Sequence, residues 1–162
     1  MLRELAKQGF VILLKKQKEA KISSTDPRAQ LEAMMIAYWD FALAEGKFYQ
    51  LMFGIDFTFS DLKNSLPEAE ATTILFMEVI GDILEVDPSI ELVQKLYYSF
   101  SSILHGLISM HFIRQGMLKR HSELVLKEAI AIMIEMLDSA DVQVNNSEMI
   151  NPAATLTKAF IL

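Results

Sequence analysis

The sequence predicts an all-α protein, an orthogonal or antiparallel bundle of about five long helices with shorter ones. Apolar residues recur at spacings of three and four along most of the chain, which is the period of an amphipathic helix. Prolines are rare, and three of the four closely follow an aspartate or serine that can cap a helix. The one stretch with strand-like alternation is "FGIDFTF", and a glycine interrupts it.

The helix starts can be placed in chain order from their capping signals. Asp26 precedes a proline at the start of the second helix, and Asp87 does so farther along the chain. Between them, Ser65 and Glu68 have the spacing of a capping box. Together with the apolar period, these signals predict long helices at 2–20, 27–45, 66–86, 88–118 and 122–138, and a short helix at 47–53.

Length and hydropathy predict one domain and a tail. The 162 residues suffice for a full core, and helical periodicity is lost after residue 138. We therefore expect a helical domain over 1–138 and a partly ordered tail over 139–162. The chain is 52% hydrophobic with mean hydropathy +0.27. So apolar a composition favours either an internal cavity or a large interface with a partner.

Charge and cysteine content limit the classes of protein to which the chain can belong. The net charge of −6 disfavours nucleic-acid binding by this chain. Lysines near the end of the first helix either complement its dipole or lie close to DNA held by an upstream segment. The chain has no cysteine, which excludes disulfides and thiolate metal sites. It has neither a run of ~20 apolar residues nor a signal-peptide pattern, so we expect a cytoplasmic protein with no membrane partner.

The sequence contains no recognisable catalytic or cofactor motif. His105 and His111 are six residues apart, on different sides of a helix, and no carboxylate stands at ligand spacing from either. Neither a glycine-rich phosphate loop nor a serine, histidine and acid arrangement can be read. We therefore expect no metal, no cofactor and no enzymatic activity.

Aromatic residues are concentrated in the second and third helices. Eight of the fifteen lie between residues 38 and 59, flanked by methionines. Such a composition suits an adaptable apolar cavity, although plain core packing is the alternative for any single residue. The residues expected to bind a ligand are Met34, Tyr38, Phe41, Met52, Phe53, Phe57, Phe76, Ile80, Tyr97, Phe100, Ser101, Leu104 and His105.

The last two long helices carry the pattern of a dimer interface. Small residues form a ridge along the helix from 88 to 118, where another helix can approach closely. The helix from 122 to 138 is apolar over more than the stripe that a one-sided surface helix needs. The predicted interface residues are Ser99, Ser102, Gly106, Ser109, Ile113, Val125, Ala129, Ile132, Met133 and Met136.

His105 and Gly106 stand together inside an apolar run. A glycine within a helix costs about 1 kcal/mol relative to alanine, which a close helix contact offsets. His105 lies away from the ridge of small residues. It is expected either to orient a ligand in the cavity or to act as a structural histidine bonded to a carbonyl or a tyrosine.

Three segments resemble the tetracycline-repressor (TetR) family of transcriptional regulators. "LRELAKQGF" (2–10) resembles the helix that leaves their DNA-binding domain, and "AYWDFALAEGKFYQLMFG" (37–54) resembles the second helix of their regulatory core. "ILHGLISM" (103–110) is similar to the His-Gly signature of one branch. Ser101 stands where that branch often has tryptophan, which either enlarges the cavity or places the chain outside the branch.

The resemblance covers residues 1 to about 138 and implies a domain that senses a small hydrophobic or amphipathic effector. It also implies a homodimer formed through the last two long helices. DNA contact would occur through an upstream helix-turn-helix domain, which these residues do not include. The alternative is a helical protein–protein interaction module without a ligand cavity.

Overall fold

The computed structural model describes residues 2–53, 67–113 and 119–150, and side chains in the last helix at residue 121 and from 123 to 142. Within those ranges the chain forms six helices and no strand, which confirms the predicted all-α fold. The helices are α1 (Leu2–Lys21), α2 (Pro27–Ala44), α3 (Gly46–Met52), α4 (Pro67–Leu84), α5 (Glu91–Ile113) and α6 (Lys119–Ile150).

Local side-chain and backbone geometry sets several helix ends. The Asp26 carboxylate accepts hydrogen bonds from the backbone N–H groups of Arg28 (3.3 Å) and Ala29 (3.1 Å), which caps α2 as predicted. At the C-terminal end of α4, Glu85 adopts a left-handed conformation with φ 54°. The Val86 N–H donates to the Gly81 carbonyl at 3.0 Å. This contact satisfies a carbonyl that would otherwise lack a partner at the helix end.

Helix α2 is the centre of the bundle and contacts all five of the other described helices. Its buried side chains include Met35, Trp39 and Ala42, so most of its circumference faces other helices. Ion pairs join the helices at the surface. Lys21 of α1 contacts Glu78 of α4 at 2.9 Å, and Arg28 of α2 contacts Asp138 of α6 at 2.6 Å. Such exposed pairs contribute little, so the apolar core supplies most of the stability.

The last helix is longer than predicted. We expected it to end at residue 138, yet α6 continues to Ile150. Leu137 and Ala140 are both buried, so packing against the bundle carries the helix past the point where the apolar period fades. The predicted tail therefore begins within a helix. Residues 151–162 lie outside the described residues.

Helix α5 exposes its ridge of small residues. Ser102, Gly106 and Ser109 are exposed, and a Cβ atom added to Gly106 would meet no described residue within 4 Å. No described helix of the same chain makes the close approach that we expected at this glycine. The described part of α5 ends at Ile113, so the predicted extension to 118 falls outside the described residues.

The predicted interface residues divide into two groups. Ile113, Val125, Ile132 and Met136 are exposed, and Ser99 is half-buried. Met133 and Ala129 correct the prediction, because both are buried in the core of their own chain. Both lie on the arc of α6 that packs onto the bundle, so they are not available to a second chain.

No helix in the described ranges is both long enough and apolar enough to cross a membrane. The strand-like stretch "FGIDFTF" falls outside the described residues from Gly54 onward, and Phe53 forms a bend after α3.

Candidate functional site

A cavity of about 510 Å³ is lined by side chains of α1, α2, α4 and α5, together with the residue that follows α3, and is partly open to solvent. Aromatic rings form much of its wall, and most of the wall surface is apolar. Small-molecule sites in proteins have this character and a volume of about 300–1,000 Å³.

Eight of the thirteen predicted ligand-binding residues line this cavity. They come from four separate segments, which the bundle brings together. These residues are Tyr38, Phe53, Phe76, Tyr97, Phe100, Ser101, Leu104 and His105.

Four predicted residues do not reach the cavity. Met34, Phe41, Met52 and Ile80 are fully buried in the core between helices. An aromatic and methionine-rich composition suits a core as well as a cavity, so composition alone could not separate the two roles. Phe57 lies outside the described residues.

The contribution of α1 was not predicted. Phe10 and Gln17 of that helix line the cavity, as do Thr72 and Thr73 of α4. A signal for Gln17 was present in the sequence. It shares a helix face with Ala6, Phe10 and Leu13, at successive steps of four, three and four residues, and is the polar member of an otherwise apolar stripe.

His105 is held between two tyrosines at one end of the cavity. Its Nε2 lies 3.0 Å from the hydroxyl oxygen of Tyr38, and its Nδ1 contacts the hydroxyl of Tyr49. The Phe53 ring packs edge-on against the imidazole, with centroids 4.4 Å apart. His105 is therefore a structural histidine bonded to tyrosine and also a part of the cavity wall.

Burial sets the protonation state of the His105 imidazole. It lowers the pKa of His105 to about 4, so the ring is neutral at pH 7. A neutral imidazole has one N–H donor and one acceptor nitrogen, so it donates to one tyrosine and accepts from the other. Burial also raises the pKa of Tyr38 and of Tyr49, which keeps both hydroxyls protonated.

Three hydroxyl groups of the wall are hydrogen-bonded within the chain. The hydroxyls of Thr73 and Tyr97 are hydrogen-bonded at 2.9 Å, and the Thr72 hydroxyl donates to the Ala69 carbonyl at 2.8 Å. By contrast, the Gln17 side chain is fully buried, and neither its Nε2 nor its Oε1 has a hydrogen-bond partner among the described residues.

The cavity wall carries little charge. Among the described residues that line it, Glu70 is the one acidic residue, and none is a lysine or arginine. In the same part of the chain, no three histidine, aspartate or glutamate side chains come together as a metal site would need.

Comparison with known proteins finds no match: no family model, no curated protein and no solved structure resembles the chain significantly.

Proposed function

We propose that this chain is the effector-binding and dimerisation domain of a TetR-like transcriptional regulator and senses a small hydrophobic or amphipathic molecule. The observation that carries the proposal is the cavity of about 510 Å³ with its aromatic wall. The resemblance of three sequence segments to that family supplies the regulatory context.

The surroundings of the cavity support binding of an uncharged or weakly polar ligand. Phe53, Phe76 and Phe100 offer apolar contact area, while neutral His105 and Tyr38 add polar groups without a net charge. Burying an apolar molecule there would gain about 25 cal/mol for each Å² removed from water.

Homodimerisation belongs to the same proposal. The outer faces of α5 and α6 expose large apolar side chains, among them Ile113 (77% exposed) and Ile132 (54% exposed). Gly106 leaves open space beside α5, which suits close approach of a helix from a second copy. Contact with DNA is proposed only through an upstream domain.

A regulator of this kind works when its ligand binds one arrangement of the dimer better than the other. A ligand with equal affinity for both arrangements would switch nothing, however tightly it bound. The sensing role therefore requires that ligand occupancy and dimer geometry be coupled.

Binding of 4-acetylbiphenyl, a neutral apolar ketone, tests the sensing role. We expect it to raise the melting temperature of the wild-type protein, because a ligand that binds only the folded state stabilises it. Ser101→Trp places a large ring in the cavity and should abolish the rise. Thr25→Trp is the control, since Thr25 is exposed between α1 and α2 and should leave the rise intact.

An equal rise in wild type and Ser101→Trp would place the ligand elsewhere and contradict the proposal. The alternative, a helical interaction module, predicts no rise with any small apolar compound. It would instead respond to a protein partner alone.

A further inference from the structure

We propose that the ligand of this cavity is neutral and carries a carboxamide or lactam group, which pairs with the side-chain amide of Gln17. This inference rests on the proposed sensing function and specifies the chemistry of its ligand. It arises from a polar group that the described protein leaves unsatisfied.

Gln17 is the most deeply buried polar residue in the described part of the cavity wall. Its side chain is 0% exposed, and neither amide atom has a hydrogen-bond partner among the described residues. In native proteins the great majority of buried polar side-chain atoms have such a partner. The hydroxyls of Thr72, Thr73 and Tyr97, on the same wall, all follow that rule.

Gln17 and His105 mark two different ends of the cavity. Phe10 lies at the His105 end, because its ring packs 5.6 Å from that of Phe53, which in turn packs on the imidazole. Gln17 is seven residues farther along α1, a rise of about 10 Å. Most of the cavity wall is apolar, so a ligand needs an apolar body and a polar head at the Gln17 end.

The unpaired atoms of Gln17 define what that head must supply. Nε2 needs an acceptor and Oε1 needs a donor, side by side. A carboxamide or lactam presents both in one plane, whereas a ketone presents only an acceptor and an ammonium group only donors.

Charge excludes an ionised carboxylate as the preferred head. It would bring acceptors alone and leave Oε1 without a donor. It would also enter a wall whose described residues include Glu70 and no lysine or arginine, so its burial would be uncompensated. A neutral head avoids this cost.

Three biphenyls of matched shape test the inference by calorimetry: 4-phenylbenzamide, 4-acetylbiphenyl and 4-phenylbenzoate. We expect the wild-type protein to bind the carboxamide at least about tenfold more tightly than the ketone, and the carboxylate most weakly. This comparison needs no variant, so it does not depend on how a substitution affects folding.

Gln17→Met assigns the preference to its residue. The variant should bind the carboxamide no more tightly than the ketone. Gln8→Met makes the same chemical change at an exposed residue of α1 that is not among the cavity-lining residues. We expect Gln8→Met to keep the wild-type preference.

The outcomes separate this inference from the function on which it rests. Equal affinity for carboxamide and ketone in wild type, tighter binding of the carboxylate, or an unchanged preference in Gln17→Met would overturn the inference while leaving an apolar ligand site in place. If none of the three compounds bound the folded protein, both the inference and the proposed function would fail.

Discussion

At the scale of single residues, His105 and Gln17 show two ways in which a polar side chain is placed beside an apolar cavity. His105 meets a tyrosine hydroxyl at each ring nitrogen, so its polarity is satisfied within the chain. Gln17 is fully buried, and its amide atoms have no hydrogen-bond partner among the described residues. An unmet amide costs stability in the ligand-free state, and that free energy is recovered when a complementary ligand binds.

The buried imidazole of His105 should make stability depend on pH. Its pKa is about 4 in the folded protein, against 6.5 for an ordinary histidine. The unfolded chain therefore binds a proton more readily, and stability present above pH 6.5 is lost as the pH falls toward 4. Between pH 7 and pH 5 we expect a loss of about 2 kcal/mol from this group, measured by urea unfolding.

Two histidine variants isolate that contribution. His105→Gln removes the titrating group and should flatten the pH dependence between pH 5 and 7. His121→Gln changes an exposed histidine of α6 and should leave the pH dependence of stability as in wild type. An identical slope in wild type and His105→Gln would show that another group is responsible.

At the scale of helices, starts were easier to predict than ends. The start of α2 depends on Asp26, whose carboxylate reaches N–H groups only two and three residues away. The end of α6 depends on whether residues beyond 138 meet the bundle, as Ala140 does. A cap is a local contact that can be read from neighbouring residues, whereas a helix extended by packing needs the position of other helices.

The end of α4 offers a test at this scale. Glu85 has φ 54°, a conformation in which any residue with a Cβ is disfavoured and glycine is not. Glu85→Gly should therefore raise the free energy of unfolding by about 1 kcal/mol. Glu45→Gly is the matched control at the end of α2, where φ is −114°. There glycine only adds freedom to the unfolded chain, so the free energy of unfolding should fall. An increase of similar size in both variants would contradict the explanation.

At the scale of the whole molecule, apolar side chains that do not fill the core lie in two places. One is the cavity between α1, α2, α4 and α5. The other is the outer face of α5 and α6, where large apolar side chains remain in water. A single chain that exposes such a face gains free energy by covering it, which supports the proposed homodimer.

Ile132→Glu tests the homodimer. A carboxylate at the centre of an apolar contact would be buried without a partner, so we expect the dimer dissociation constant to rise at least about tenfold, measured by light scattering over a concentration series. Ile22→Glu is the control, because Ile22 is even more exposed (81%) but follows α1 rather than lying on α5 or α6. A wild-type protein that stays monomeric at micromolar concentration would contradict the proposal.

The sequence by itself determined the all-α class, the start of each described helix to within about three residues, and eight of the residues around the cavity. These properties follow from local patterns, namely apolar period, capping residues and aromatic density. Only the tertiary structure decided that Met34, Phe41, Met52 and Ile80 fill the core while Gln17 lines the cavity. It likewise decided that Met133 faces inward and Ile132 outward.

The physical reason is that a periodic pattern tells which side of a helix is apolar but not what that side meets. Core, cavity wall and interface all require apolar side chains. They differ in the rotation and separation of neighbouring helices, which depend on contacts between residues far apart in the chain.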